Sequence, residues 1–208
     1  LFPYTTLFRS YLLVDISGSM TTAIAEAKDL ITKLLGGFPL DKLHVACFNT
    51  VGRVLNIKHP SQAGVSQAFN GILASGGTSH AAGVRALSAF PPAEDEDAIL
   101  IVVGDEGEYG NFKAEIDRSG IHPVALALLK VSGGDNDKIV RTTAADLGVP
   151  CIPLDKNMFN DAYATPRIFR NLIASTPVGV RSAPTKSARV SLIDTILKTD
   201  LLTKPQWA

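Results

Sequence analysis

The chain has 208 residues, of which 46% are hydrophobic and 19% charged, a composition that can bury a full core and does not indicate disorder. Twenty basic residues balance twenty acidic ones, so no global field attracts nucleic acid or an anionic membrane, although a local basic patch stays compatible with this balance. No apolar stretch approaches the roughly twenty residues of a membrane span, and no cleavable signal pattern is present. These features favour a cytoplasmic protein. Cys47 and Cys151 lie in apolar runs and are predicted to be reduced core thiols.

Apolar runs and helical patterns alternate along most of the chain. Residues 1–10 match neither a strand period nor a helix period, so we expect a truncated start or a foreign leader that is not part of the fold. After them the pattern predicts strands at 11–15, 43–49, 53–57, 98–105, 122–129 and 149–154. It predicts helices at 20–35, 61–73, 81–90, 111–118, 139–147 and 167–174.

This alternation predicts an α/β fold, with a doubly wound, Rossmann-like, mostly parallel six-stranded sheet and helices on both faces. The short connection at 50–52 suits a hairpin, so strand 53–57 is expected to be an antiparallel edge strand. The domain is placed at residues 11–175. A linker and an amphipathic helix follow at 176–208, and this helix either packs back onto the domain or docks onto a partner; Trp207 slightly favours a contact role.

Oxygen-bearing side chains stand after two predicted strands and before one predicted helix. They are, in chain order, Asp15, Ser17, Ser19, Thr78 and Asp105. In a doubly wound sheet, ligands bind beyond the carboxyl ends of the strands, where the strand order reverses. The first and fourth strands would flank that point, so these donors are expected to converge on one cation. Hard cations such as Mg²⁺ prefer oxygen ligands in octahedral geometry.

The three motifs around these donors carry a resemblance. An Asp-x-Ser-x-Ser turn after the first strand, a Gly-Gly-Thr before a helix and an Asp-containing turn after an apolar strand resemble the metal-ion-dependent adhesion site (MIDAS) of von Willebrand factor A (VWA) domains. The resemblance covers residues 11–174. It is to VWA domains of the intracellular, bacterial type that have a complete MIDAS. It implies direct coordination of Mg²⁺, or of Mn²⁺ or Ca²⁺, by Ser17 and Ser19. It implies that Asp15 and Asp105 act largely through water, and that Thr78 joins directly in the ligand-competent state.

The sequence departs from the family pattern beside the last donor. Family members often carry Thr-Asp-Gly there, whereas here Glu106 and Glu108 follow Asp105. Either both are solvated loop charges, or one of them caps the metal or repels the wrong partner.

The donor set indicates binding rather than catalysis. Two carboxylates offset the charge of a divalent cation and leave it electrophilic. The resemblance implies that an open coordination position captures an Asp or Glu of a partner protein. Relatives inside cells often work beside AAA-type ATPases or in multiprotein assemblies, which is an analogy at the level of the family. The expected function is therefore a divalent-metal-dependent protein-binding module and not an enzyme.

Two alternative functions are compatible with parts of the pattern. The chain resembles the C-terminal VWA part of a Ro-type RNA-binding assembly, although its neutral charge and the absence of an aromatic-basic stripe argue against nucleic-acid binding by this fragment. A metal-dependent phosphatase of the haloacid dehalogenase type would also begin with a strand and Asp15, but it needs a second Asp where Ser17 stands. His80 is the histidine nearest to the donors, and we expect it to be a solvent-exposed residue of a first helical turn.

Overall fold

The computed structural model describes residues 8–94, 96–105, 111–131 and 138–160. The predicted helix at 167–174, the segment at 176–208, and Glu106 and Glu108 lie outside the described residues. None of the helices in the described part of the chain is long and apolar enough to cross a membrane.

Strands and helices alternate along the described chain. The strands are β1 (Phe8–Asp15), β2 (Leu43–Phe48), β3 (Gly52–Leu55), β4 (Asp97–Gly104), β5 (Pro123–Lys130) and β6 (Cys151–Leu154). The helices are α1 (Ile24–Leu35), α2 (Gln62–Ala68), α3 (His80–Leu87), α4 (Phe112–Ser119) and α5 (Lys138–Leu147). Short 3-10 turns occupy Gly18–Thr22, Leu40–Lys42 and Lys156–Asn160.

The six strands form one sheet in the order β3-β2-β1-β4-β5-β6. The pairs β1-β2, β1-β4, β4-β5 and β5-β6 are parallel, and β2-β3 is antiparallel. This confirms the predicted doubly wound fold with one antiparallel edge strand. The strand order reverses at β1, which pairs with β2 on one side and with β4 on the other, so the ends of β1 and β4 flank the crevice of the sheet.

The sheet is covered on both faces, because its central strands are apolar on both sides. Leu12 and Val14 of β1 belong to a core shared with α1 and α2. Tyr11 and Leu13 point to the other face and join a second core with α3, α4 and α5. Neither cysteine forms a disulfide with the other; Cys47 is fully buried in β2, and Cys151 at the beginning of β6 is partly buried.

Several element boundaries differ from the sequence predictions. β1 begins at Phe8, which is 1% exposed and pairs with Asp97, so the placement of residues 1–10 outside the fold is wrong for residues 8–10. Phe8 points to the same face of the sheet as Leu12. With this extension, β1 is as long as its neighbour β4. The helix predicted at 61–73 ends at Ala68, and the chain then turns through Gly71 at φ +73°. The helix predicted from residue 20 begins only at residue 24, after a 3-10 turn.

Candidate metal centre

Asp15 is the last residue of β1 and is completely buried. Its Oδ1 accepts a hydrogen bond from the backbone N–H of Ser17 at 2.7 Å, whereas its Oδ2 has no hydrogen-bond partner within the described residues. Burial raises the pKa of Asp15 to about 6, and the neighbouring Asp105 carboxylate adds to that rise, while the hydrogen bonds from Ser17 oppose it. The described residues therefore compensate the charge of this buried carboxylate only in part.

Two serine hydroxyls stand side by side next to this carboxylate. The Oγ atoms of Ser17 and Ser19 share a hydrogen bond of 3.0 Å. Ser17 is 1% exposed, whereas Ser19 is exposed to solvent. The 3-10 turn at Gly18–Thr22 produces this arrangement, because the N–H of Met20 bonds back to the carbonyl of Ser17 at 3.0 Å. One hydroxyl thus faces the buried carboxylate region and the other opens to the surface.

The loop that carries Thr78 is tied to this turn by backbone hydrogen bonds. The N–H of Gly18 donates to the carbonyl of Gly76 at 2.9 Å, and the N–H of Ser75 donates to the carbonyl of Ile16 at 2.8 Å. Gly76 has φ +79°, a left-handed conformation that favours glycine. Thr78 follows two residues later and is partly exposed. The loop therefore holds Thr78 at the same edge of the sheet as the serine turn.

Asp105 directly follows β4 and is 8% exposed, and its Oδ1 has no hydrogen-bond partner within the described residues. The preceding residue allows β4 to approach Asp15 closely. A Cβ atom on Gly104 would lie 2.7 Å from the Cβ and 3.2 Å from the Oδ2 of Asp15. Only glycine leaves space at this point for the two buried carboxylates to share one crevice.

The donor set fits a hard divalent cation. Two buried carboxylate oxygens, Oδ2 of Asp15 and Oδ1 of Asp105, lack partners in the described part of the chain, and buried polar atoms of this kind call for an ion or water. No group of three or more His, Cys, Asp or Glu among the described residues could hold a metal, so any cation here depends on the hydroxyls as well. Oxygen-only donors suit Mg²⁺, Mn²⁺ or Ca²⁺ better than softer metals.

His80 is completely buried, so the expectation that it faces solvent is wrong. Its ring lies 4.9 Å from the ring of Phe48 in β2 and 5.2 Å from that of Phe112 in α4, measured between centroids. The first turn of α3 packs closely onto the sheet, because a Cβ on Gly83 would lie 3.0 Å from side-chain atoms of Leu13 and Phe48. Tertiary packing, and not the local helical pattern, decides this burial.

A second contact joins α3 to α4. Nε and Nη2 of Arg85 donate to the two carboxylate oxygens of Glu115 at 3.2 and 2.8 Å. Hydrogen bonds from Arg85 hold the pKa of Glu115 below its usual range. The His80 contact with Phe112 and this ion pair therefore hold together two helices that begin, in the sequence, shortly after Thr78 and Asp105.

Asn49, which the sequence analysis placed only at the end of a strand, joins the loops around the centre. Its Nδ2 donates to the carbonyl of Ser75 at 2.9 Å, and its Oδ1 accepts from the N–H of Val51 at 2.9 Å. Its carbonyl accepts from the N–H of Ser79 at 2.8 Å. An Asn followed by Thr-Val-Gly after a strand is a turn signal, but it does not reveal the long-range bond to Ser75.

The structure thus brings all five predicted donors to the carboxyl-end edge of β1 and β4. Three of them are neighbours in the sequence and are joined by hydrogen bonds: Asp15, Ser17 and Ser19. Asp105 interacts electrostatically with Asp15. Thr78 lies on the loop bonded to the serine turn.

Comparison with known proteins gives the architecture a name. No protein-family model matches the chain, and no curated protein does. Among solved structures, an aerotolerance-related membrane protein from Bacteroides fragilis, with multiple mutations to serines, is 18% identical with a TM-score of 0.60; the match covers 80% of this chain and 98% of that chain. The VWA domain of SpRpn10 is 11% identical with a TM-score of 0.51, over 83% of this chain and 96% of that one.

A third similar structure contains a metal. Proximal thread matrix protein 1 from the mussel byssus, solved with a zinc-occupied MIDAS motif, is 12% identical with a TM-score of 0.51. The match covers 78% of this chain and 46% of that chain. At such identities the likeness concerns the fold. With its strand order, its antiparallel edge strand and these structural neighbours, the chain has the fold of von Willebrand factor A domains.

Proposed function

We propose that this chain is a divalent-metal-dependent protein-binding module that captures an acidic residue of a partner. The observation that carries the proposal is a pair of buried carboxylate oxygens, on Asp15 and Asp105, that have no hydrogen-bond partner among the described residues and lie where the strand order reverses. Without a cation, two buried carboxylates in one crevice repel each other. A divalent ion would satisfy both.

The five donors have distinct roles in this proposal. Ser17 and Ser19 would ligate the metal through their hydroxyls, Asp15 and Asp105 would balance its charge, and Thr78 would join from the loop. The bound metal would supply a Lewis-acidic position for a carboxylate. Exposed Ser19 and partly exposed Thr78 leave the site accessible from the surface, which a partner requires. The zinc reported in the MIDAS of the mussel protein supports a divalent ion, and the oxygen-only donors favour Mg²⁺.

A binding role is also proposed in preference to catalysis. Catalysis of hydrolysis needs a general base that can reach a substrate or an activated water. His80, the histidine nearest to the donors, is completely buried among aromatic rings. The partner class of AAA-type ATPases or multiprotein assemblies, and a cytoplasmic location, stay predictions from the sequence. No contact among the described residues specifically favours the RNA-binding or the phosphatase alternative.

Calorimetric titration with MgCl₂ tests the metal centre. The wild-type chain is expected to bind Mg²⁺, and Asp15→Asn and Asp105→Asn are expected to lose most of that affinity. Asp29→Asn is the matched control, because Asp29 is an exposed carboxylate that pairs with Lys33 on α1. Equal affinity in all four proteins would refute the centre.

A pull-down tests the acidic partner. The wild-type chain is immobilised with Mg²⁺, and a candidate partner is applied with and without chelator. Capture should disappear with chelator and with Asp15→Asn as bait, and it should fall when acidic residues of the partner are changed to amides. Capture that survives chelation would exclude the proposed mode.

A further inference from the structure

Two large apolar side chains stand exposed beside the candidate metal centre. Val51 is 70% exposed and Leu73 is 80% exposed, more than any other large hydrophobic residue in the described part of the chain; Val54 and Met158 follow at 40% and 43%. Single exposed apolar residues are ordinary on protein surfaces. Here the two most exposed ones both lie on loops that border the donors.

Asn49 links the turn that carries Val51 to the loop that carries Leu73 and Thr78. The N–H of Val51 donates to Oδ1 of Asn49, and the carbonyl of Val51 accepts from the N–H of Asn49 at 3.2 Å. Leu73 comes two residues before Ser75, whose carbonyl accepts from Asn49 and whose N–H bonds to the β1 turn. The backbone of Val51 is therefore held by hydrogen bonds, and Leu73 lies between the hydrogen-bonded residues Ile72 and Ser75. An apolar residue presented on a held backbone loses little entropy when a partner covers it.

Three loops beside the donors carry no charged side chain. Residues 16–22, 49–52 and 70–79 contain no Asp, Glu, Lys or Arg. On these three loops a partner would meet mainly hydroxyls, glycines and the two apolar side chains. In the sequence, two further carboxylates, Glu106 and Glu108, follow Asp105, and like charge disfavours a partner with several acids.

We infer that the partner presents a single acidic residue flanked by apolar side chains, and that these pack on an apolar rim formed by Val51 and Leu73. This inference rests on the proposed function and adds the partner's chemistry to it. The metal binds the carboxylate of any acidic residue and so discriminates little between acids. The rim selects among them, because only a segment with apolar neighbours removes Val51 and Leu73 from water.

Selection from a peptide library tests the rim. The probe is a phage-displayed library of random peptides with one fixed Asp, bound to the whole chain in MgCl₂ and eluted with chelator. Apolar residues should be enriched beside the fixed Asp, and a selected peptide should bind about tenfold more weakly to the Val51→Ser, Leu73→Ser double variant. Val54→Ser is the matched control, since Val54 is an exposed apolar residue on β3, and it should leave peptide affinity unchanged.

The outcomes separate the two proposals. Apolar enrichment that the double variant loses, with unchanged Mg²⁺ affinity by calorimetry, supports the rim. Chelator-eluted peptides without apolar neighbours overturn the rim and leave the metal-dependent capture of acids intact. The rim is also overturned if the double variant binds Mg²⁺ more weakly in proportion to the peptide. A library that yields no chelator-eluted peptide contradicts the proposed function itself, and the rim with it.

Discussion

Replacing Asp15 with Asn should stabilise the metal-free protein at neutral pH and remove its response to metal. In the folded chain the pKa of Asp15 is about 6, against an ordinary value of 3.8, and the side chain is completely buried. Each pKa unit corresponds to about 1.4 kcal/mol, so ionised Asp15 destabilises the metal-free fold by about 3 kcal/mol. Asn has nearly the same shape and can keep the hydrogen bond from Ser17, but it carries no charge.

The pH dependence has a definite sign. Because the pKa of Asp15 is raised in the folded state, Asp15 keeps its proton to a higher pH there than in the unfolded state. The contribution of Asp15 to the stability of the fold is therefore greatest below about pH 4. This contribution is lost as pH rises from about 4 to about 6 and stays lost above that. Asp15→Asn should therefore match wild type near pH 4 and exceed it by about 3 kcal/mol at pH 8.

Urea denaturation in the presence of chelator measures this difference at both pH values. Adding MgCl₂ at pH 8 should stabilise wild type and leave Asp15→Asn unchanged, because ligand binding to the folded state alone raises its stability. Asp29→Asn serves as the exposed carboxylate control and should follow wild type throughout. An Asp15→Asn protein that is equal to or less stable than wild type at pH 8 without metal would refute the reasoning, since Asp15 would then be compensated by other groups.

Three further predictions concern the surroundings of the centre. Gly104→Ala should lower the free energy of unfolding by about 1–3 kcal/mol and weaken Mg²⁺ binding, because the added methyl would lie 2.7 Å from the Cβ of Asp15; denaturation and calorimetry measure both. Ser61→Ala should destabilise the chain by about 1 kcal/mol, as it removes the cap that accepts from the third residue of α2, but calorimetry should show unchanged Mg²⁺ affinity. Arg85→Met and Glu115→Gln should each weaken Mg²⁺ binding by loosening α3 from α4, and the double variant should be no weaker than either; additive losses would contradict a shared role.

The order of elements followed from local pattern alone. Hydrophobic runs buried on both faces marked the parallel strands, and the short link before β3 marked the antiparallel edge. Four of the five donors stand directly at strand ends or in the turn after β1, where the general rule for doubly wound sheets expects a ligand. These features depend on residues that are close in sequence, so periodicity and turn chemistry were enough to predict them.

Other features depend on where distant segments meet. The pattern around His80 indicated an exposed helical turn, but Phe48 and Phe112 arrive from β2 and α4 and bury it completely. Asn49 shows only a turn signal in the sequence, yet it joins the turn after β2 to the loop that carries Thr78. The beginning of β1 at Phe8 likewise depends on the length of its neighbour β4.

The sequence by itself thus determined the fold class and the chemistry of the donors, because both depend on residue type and local spacing. Only the tertiary structure decided how the donors meet. β1 and β4 pair side by side, although the 81 residues 16–96 separate them along the chain. Asp15 therefore lies against Gly104, and one of its carboxylate oxygens has no partner in the described chain. Burial and close approach of this kind arise from packing between segments that no local pattern connects.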